Sequence, residues 1–86
     1  MGAGEPARGA QLSEMGPGQG GVVLEVNGAG LARRRLLEMG FVAGTPVRVV
    51  RRAPLGDPLE VDVGGYRLSL RRELAAHIRI GPAADA

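Results

Sequence analysis

Two five-residue segments, Leu59-Glu60-Val61-Asp62-Val63 and Tyr66-Arg67-Leu68-Ser69-Leu70, alternate apolar and polar side chains on either side of Gly64-Gly65. A period of two is the signature of a strand with one face in the core and one in water. A Gly-Gly pair between two such strands is a two-residue hairpin turn. Leu59, Val61, Val63, Tyr66, Leu68 and Leu70 therefore share an inner face. The chain has 86 residues, enough for one small domain. Its only aromatics are Phe41 and Tyr66, so that face closes over an aliphatic core. Cysteine is absent, which excludes disulfides and thiolate metal sites.

The remaining segments supply further short strands. Gly21 to Val26 is rich in β-branched residues and reads as a strand, ended by Asn27-Gly28-Ala29-Gly30. Leu31 to Met39 reads as a helix of about two turns. Leu31, Leu36 and Leu37 face inward, and Arg33, Arg34 and Glu38 face water. Gly40 stands where a left-handed C-terminal cap belongs. Thr45 to Arg52 is a strand with Val47 and Val49 on one face and Arg48 and Val50 on the other. Pro54 to Pro58 is a rigid loop, because its prolines remove backbone donors and fix φ. Arg71 to Ala76 suits a single helical turn, and Ile78 to Ile80 a last short strand. Leu12 to Met15 is a short turn or helical start.

The expected fold is thus mainly β. It is a small SH3-like barrel of about five strands, with one short inserted α-helix and a single-turn helix before the last strand. Residues 1–10 and 81–86 lack periodicity and are expected to be disordered tails around a barrel over residues 11–80. No apolar run approaches the roughly 18–20 residues that span a bilayer, and no signal peptide is visible. The expectation is a cytoplasmic chain with no direct membrane insertion.

The chemistry-bearing residues are sparse. Gly16-Pro17-Gly18-Gln19-Gly20-Gly21 matches Gly-x-Gly-x-x-Gly but precedes a strand, whereas a dinucleotide turn follows a strand and opens a helix. Chance in a glycine-rich chain accounts for it, and no P-loop is present. His77 is the single histidine. Glu60 and Asp62 share an outer strand face and offer oxygens, so Glu60, Asp62 and His77 are weak metal candidates beside the simpler reading of solvated charges. Ser13 and Ser69 lack a local acid–base arrangement. No cofactor and no catalysis are expected.

Two surface features remain. Arg33, Arg34 and Arg35 are the densest charge run, with Glu38 placed to pair with Arg34 across one helical turn. A solvated face is the simpler reading and a partner-facing patch the functional one. Arg51-Arg52 and Arg71-Arg72 flank the barrel ends and can extend that patch. Pro54, Leu55, Gly56, Asp57 and Pro58 form a loop that loses little entropy on docking. Leu55 either faces a partner or plugs the core, and Asp57 can bond loop amides. The net charge of +2 gives no argument for nucleic acid or an anionic membrane.

The segments Arg35 to Phe41, Gly44-Thr45, Ala53 to Leu59 and Leu70 to Ala75, in this order and spacing, resemble the FeoA family of bacterial ferrous-iron uptake. The similarity runs from about Leu12 to Ile80. The glycine-rich tails and the plain Gly64-Gly65 tip are mild departures from it. The resemblance implies a non-catalytic accessory protein that binds FeoB, a membrane ferrous-iron transporter. Self-association is a second mode of contact left open. The resemblance also implies kinship with the C-terminal barrels of DtxR-like metal-dependent repressors. That gives an alternative function, a stand-alone regulatory barrel binding a peptide or a metal-sensing partner. Nucleic-acid binding lacks the aromatic stacking platform it needs.

Overall fold

The computed structural model describes residues 9–83. The chain begins with β1 (Ala10–Gln11) and a 3-10 helix (Leu12–Glu14), followed by β2 (Gly20–Val26) and α1 (Gly30–Glu38). β3 (Pro46–Arg52), β4 (Leu59–Val63), β5 (Tyr66–Leu70), α2 (Arg72–Ala75) and β6 (Ile78–Gly81) complete it. The six strands form one antiparallel sheet in the order β1-β6-β2-β3-β4-β5. Its edges, β1 and β5, are bridged by the packing of the 3-10 helix against α2.

Alternation dictates the core. Val47 and Val49 of β3, Leu59, Val61 and Val63 of β4, and Leu70 of β5 are buried. Val23, Ile78 and Ile80 join them from β2 and β6. Leu36 enters from α1, and Phe41 follows it through a defined cap. The Gly40 N–H donates to the Leu37 carbonyl (3.0 Å) and the Phe41 N–H to the Leu36 carbonyl (3.1 Å). Gly40 has φ 107°. This is a Schellman motif, in which glycine accepts the left-handed conformation and the next residue packs back on the last turn.

Three sequence expectations are corrected. Leu31 is 60% exposed instead of facing inward. It lies in the first turn, and at 3.6 residues per turn it shares a face with Arg34 and Arg35, away from the face that Leu36 presents to the core. Tyr66 is 57% exposed. It pairs with Val63 and so has inner-face parity, but it sits at the barrel's end, where its hydroxyl donates to the Met39 carbonyl (2.9 Å). The tail boundaries also move. Ala10 pairs with Ile80, and Gly81 pairs with Val22, so both belong to strands. Residues 1–8 and 84–86 of the expected tails lie outside the described residues.

The Gly-x-Gly-x-x-Gly run has a structural use. Gly20 and Gly21 open β2 between β3 and β6. A Cβ on Gly21 would overlap the Gly81 carbonyl oxygen, whereas a Cβ on Gly16 would meet only Gln19 Oε1 at 3.7 Å. Close approach of two backbones is what glycine permits here.

The outer face of β3, β4 and β5 carries a charge ladder. Arg48 and Arg67 both pair with Asp62 (3.6 and 2.9 Å), and Arg51 pairs with Glu60 (2.6 Å). The hydrogen bond from Arg67 holds the Asp62 carboxyl below its ordinary value of 3.8, and the charges of Arg67 and Arg48 act in the same direction.

Two outcomes test this packing. Gly21→Ala should destabilise by about 1–3 kcal/mol in denaturant unfolding, while Gly16→Ala should stay within about 0.5 kcal/mol of wild type. Equal effects would contradict the close approach. The Asp62 carboxyl should titrate below 3.8 by NMR. A carboxylate with a depressed folded pKa stabilises above its unfolded pKa, and that contribution is lost as pH falls through the folded value. Arg67→Gln should raise the Asp62 pKa toward 3.8. An Asp62 titration at or above that value would contradict the ladder.

Candidate functional site

The site is built around a change of parity in β3. Val47 pairs with Val63 and Val49 with Val61, but Arg51 pairs with Glu60 and Arg52 with Leu59. Val50 is therefore an extra residue, a β-bulge. Strict alternation from Val49 would send Arg51 inward and Arg52 outward. The bulge reverses this. Arg51 joins the outer ladder, and half-buried Arg52 turns toward the side occupied by Leu59.

The Arg52 guanidinium then meets three carbonyls. Its Nε and Nη2 donate to the Met15 carbonyl (3.1 and 2.9 Å), Nη2 also donates to the Ser13 carbonyl, and Nη1 donates to the Gly56 carbonyl (3.1 Å). A planar fork of fixed donors suits such a set. It clasps the 3-10 helix and the Pro54–Pro58 loop to the end of β3.

The loop is tied at further points. The Ala53 N–H donates to the Pro58 carbonyl (3.0 Å), and the Gly56 N–H to the Ala53 carbonyl (2.7 Å). Asp57 Oδ1 accepts from the Arg72 N–H (2.9 Å) at the start of α2. Asp57 thus fastens the loop to α2 and not to the loop's own amides. Leu55 is left at the apex, 92% exposed. The open choice between surface and core plug is settled for the surface. A cleft of about 470 Å³ flanks the loop on one side, lined by Arg51, Pro54, Pro58, Glu60 and Ser69. One of about 380 Å³ lies on the other, lined by Glu14, Asp57, Arg72 and Glu73.

The remaining candidates do not gather here. Arg33 and Arg34 lie on α1, whose C-terminal Met39 carbonyl meets Tyr66 beside the Gly64–Gly65 tip. The loop joins the opposite end of β4, and β4 alone spans roughly 13 Å at 3.3 Å per residue. The Arg33 Nε donates to the Val26 carbonyl (3.3 Å). The expected Arg34–Glu38 pair is not among the ion pairs of the described residues. An exposed pair of that kind is worth only a few tenths of a kcal/mol, about 0.3–0.5, against side-chain entropy. Arg51, Arg52, Arg71 and Arg72 belong to the loop end and so do not extend the α1 patch.

Glu60 and Asp62 share the outer face, but arginines engage both carboxylates. His77 sits elsewhere, against Gly28, with its carbonyl accepting from the Asn27 N–H (2.6 Å). Among the described residues no three His, Cys, Asp or Glu side chains converge as a metal site. Ser13 Oγ donates to Gln11 Oε1 (3.2 Å), and Ser69 lines the first cleft beside the ion-paired Glu60. The arrangement is suited to contact: a pinned loop, one projecting leucine and charged walls. Arg52 is the residue that sequence reasoning missed in this role, since the only signal for it is the bulge.

The model of the FeoA domain matches residues 10–82. A curated relative, the Fe(2+) transport protein A/Fe(2+) transporter FeoB fusion protein of Porphyromonas gingivalis, is 47% identical over 70 residues. The match covers 81% of this chain and 8% of that protein. The crystal structure of Stenotrophomonas maltophilia FeoA complexed with zinc is 37% identical, with a TM-score of 0.73. It covers 83% of this chain and 88% of that one, and is described as an SH3 domain protein and candidate ferrous iron transport activating factor. A manganese-dependent transcriptional repressor shares the fold at 19% identity and a TM-score of 0.78, over 90% of this chain and 43% of its own. No helix among the described residues is long and apolar enough to cross a membrane. With its six-stranded antiparallel sheet and a family-model match over nearly all its described residues, the chain belongs to the FeoA family.

Proposed function

We propose that this protein is a non-catalytic cytoplasmic accessory of bacterial ferrous-iron transport. It binds the cytoplasmic part of a FeoB-like transporter through the loop Pro54, Leu55, Gly56, Asp57 and Pro58. The observation that carries the reading is Leu55, 92% exposed at the tip of a loop held by Arg52 and Asp57. A large apolar side chain on a pre-ordered loop docks without the entropic cost of ordering it. The fusion of both proteins in one relative supports association as the mode of action.

A binding module of this kind acts by preferring one state of its partner. Its effect is limited to the difference in its affinity for those states. Iron in this reading is the transporter's cargo. Glu60 and Asp62 are engaged by the arginines of the outer ladder. The repressor-like alternative draws only on a shared fold. Self-association through the same loop would compete with transporter binding.

The test measures binding of the transporter's purified cytoplasmic part, in lipid-free solution, to wild type and to Leu55→Asp. Burying one leucine contributes about 1.5–3 kcal/mol, so the variant should bind about tenfold more weakly or worse. Its cooperative unfolding should match wild type, since Leu55 lies outside the core. Equal binding by the variant, or no association of the wild type at tens of micromolar, would contradict the reading.

A further inference from the structure

The small net charge of the chain hides an uneven distribution. Arg48, Arg51, Arg67 and Arg79 are in ion pairs, and Arg52 is consumed by three carbonyls. Arg33 is tied to the Val26 carbonyl. Arg71 and Arg72 are also exposed and in none of the ion pairs of the described residues, but they stand at the loop end, where Glu14, Asp57 and Glu73 line a cleft with Arg72. Arg34 and Arg35 are likewise in none of those ion pairs. Both project from α1, and both are exposed.

Helical spacing places Leu31, Arg34, Arg35 and Glu38 on one face, opposite the side where Leu36 enters the core. That face carries a leucine flanked by two cations, with one anion at its C-terminal edge. Val42 and Tyr66, 46% and 57% exposed, add apolar area at the same end of the barrel. The two clefts beside the loop lie at the other end, and the shallow one of about 140 Å³ beside Gly64 and Gly65 is lined by β3 and β4, so α1 lines none of the three.

We propose that the outward face of α1 binds the anionic lipid headgroups of a membrane surface. That such a membrane is within reach rests on the transporter reading above. Headgroups are mobile anions that adapt to a basic helix face, and an apolar side chain between cations can enter the headgroup boundary. A protein partner gains most from a cleft to fill, and α1 lines none of the three described above. RNA would need a stacking platform, but Phe41 is buried and the Tyr66 hydroxyl is held by Met39. Each arginine strengthens adsorption about fivefold. Such binding is weak alone and adds to transporter binding by raising effective concentration.

The experiment is co-sedimentation of the full chain with vesicles of phosphatidylcholine, with and without phosphatidylglycerol. Binding is expected only with phosphatidylglycerol and should fall as salt rises. Arg34→Glu/Arg35→Glu should weaken it at least 25-fold, from two factors of about five. Glu38→Gln should strengthen it, a gain that misfolding cannot produce. Equal sedimentation with both lipids, or α1 variants that match wild type, would overturn the proposal. So would displacement by millimolar inorganic phosphate, or tighter binding to RNA, which would assign the face to soluble anions or nucleic acid. The transporter assay contains no lipid and uses Leu55, so either idea can fail without the other.

Discussion

Arg52 ties together three segments that the strands alone would leave apart. Its guanidinium reaches carbonyls of Ser13, Met15 and Gly56. Hydrogen bonds from a charged donor contribute about 1.5–3 kcal/mol each when partners are satisfied. Removing the donor would also leave carbonyls unpaired in a half-buried setting. The bulge at Val50 makes the clasp possible, because it changes the side from which Arg52 emerges while leaving Arg51 on the outer ladder. A local irregularity in one strand thus fixes the 3-10 helix, the loop and the exposure of Leu55.

The barrel has two ends with different characters. At one, a loop fastened by Arg52 and Asp57 projects a leucine between two clefts. At the other, α1 is capped by Gly40 and held to β5 by Tyr66, and its exposed Arg34 and Arg35 lie on the face away from the core. The core between them is aliphatic and depends on alternation and on close backbone approach at Gly21. This division gives one small domain two surfaces of different character.

Much of the fold was legible because it depends on local rules. The alternation of Leu59 to Val63 gave β4, Gly64-Gly65 gave the hairpin, and Gly40 gave the cap that delivers Phe41 to the core. Leu31 misled because an apolar side chain in a first helical turn fits either face until the packing partner is known. Tyr66 misled because parity says which side of a sheet a residue takes, not whether the core extends that far. The candidate loop was found from its prolines, but its state was not. Whether Leu55 pointed in or out depended on Arg52, and the inward turn of Arg52 depended on a bulge with no glycine to mark it. The separation of Arg33 and Arg34 from the loop is a matter of barrel geometry, which adjacency in sequence does not convey.

Arg52 holds the Pro54–Pro58 loop in the conformation that displays Leu55. Hydrogen exchange of the Ala53 and Gly56 amides in Arg52→Met, compared with wild type, tests it most directly, since those amides close the loop on the Pro58 and Ala53 carbonyls. Methionine keeps most of the side chain's length and removes the donors. Both loop amides should exchange at least about tenfold faster, equivalent to about 1.4 kcal/mol of lost local stability, and by more than core amides such as Val61. Loop amides that exchange at the wild-type rate, or that change only in step with the core, would contradict it.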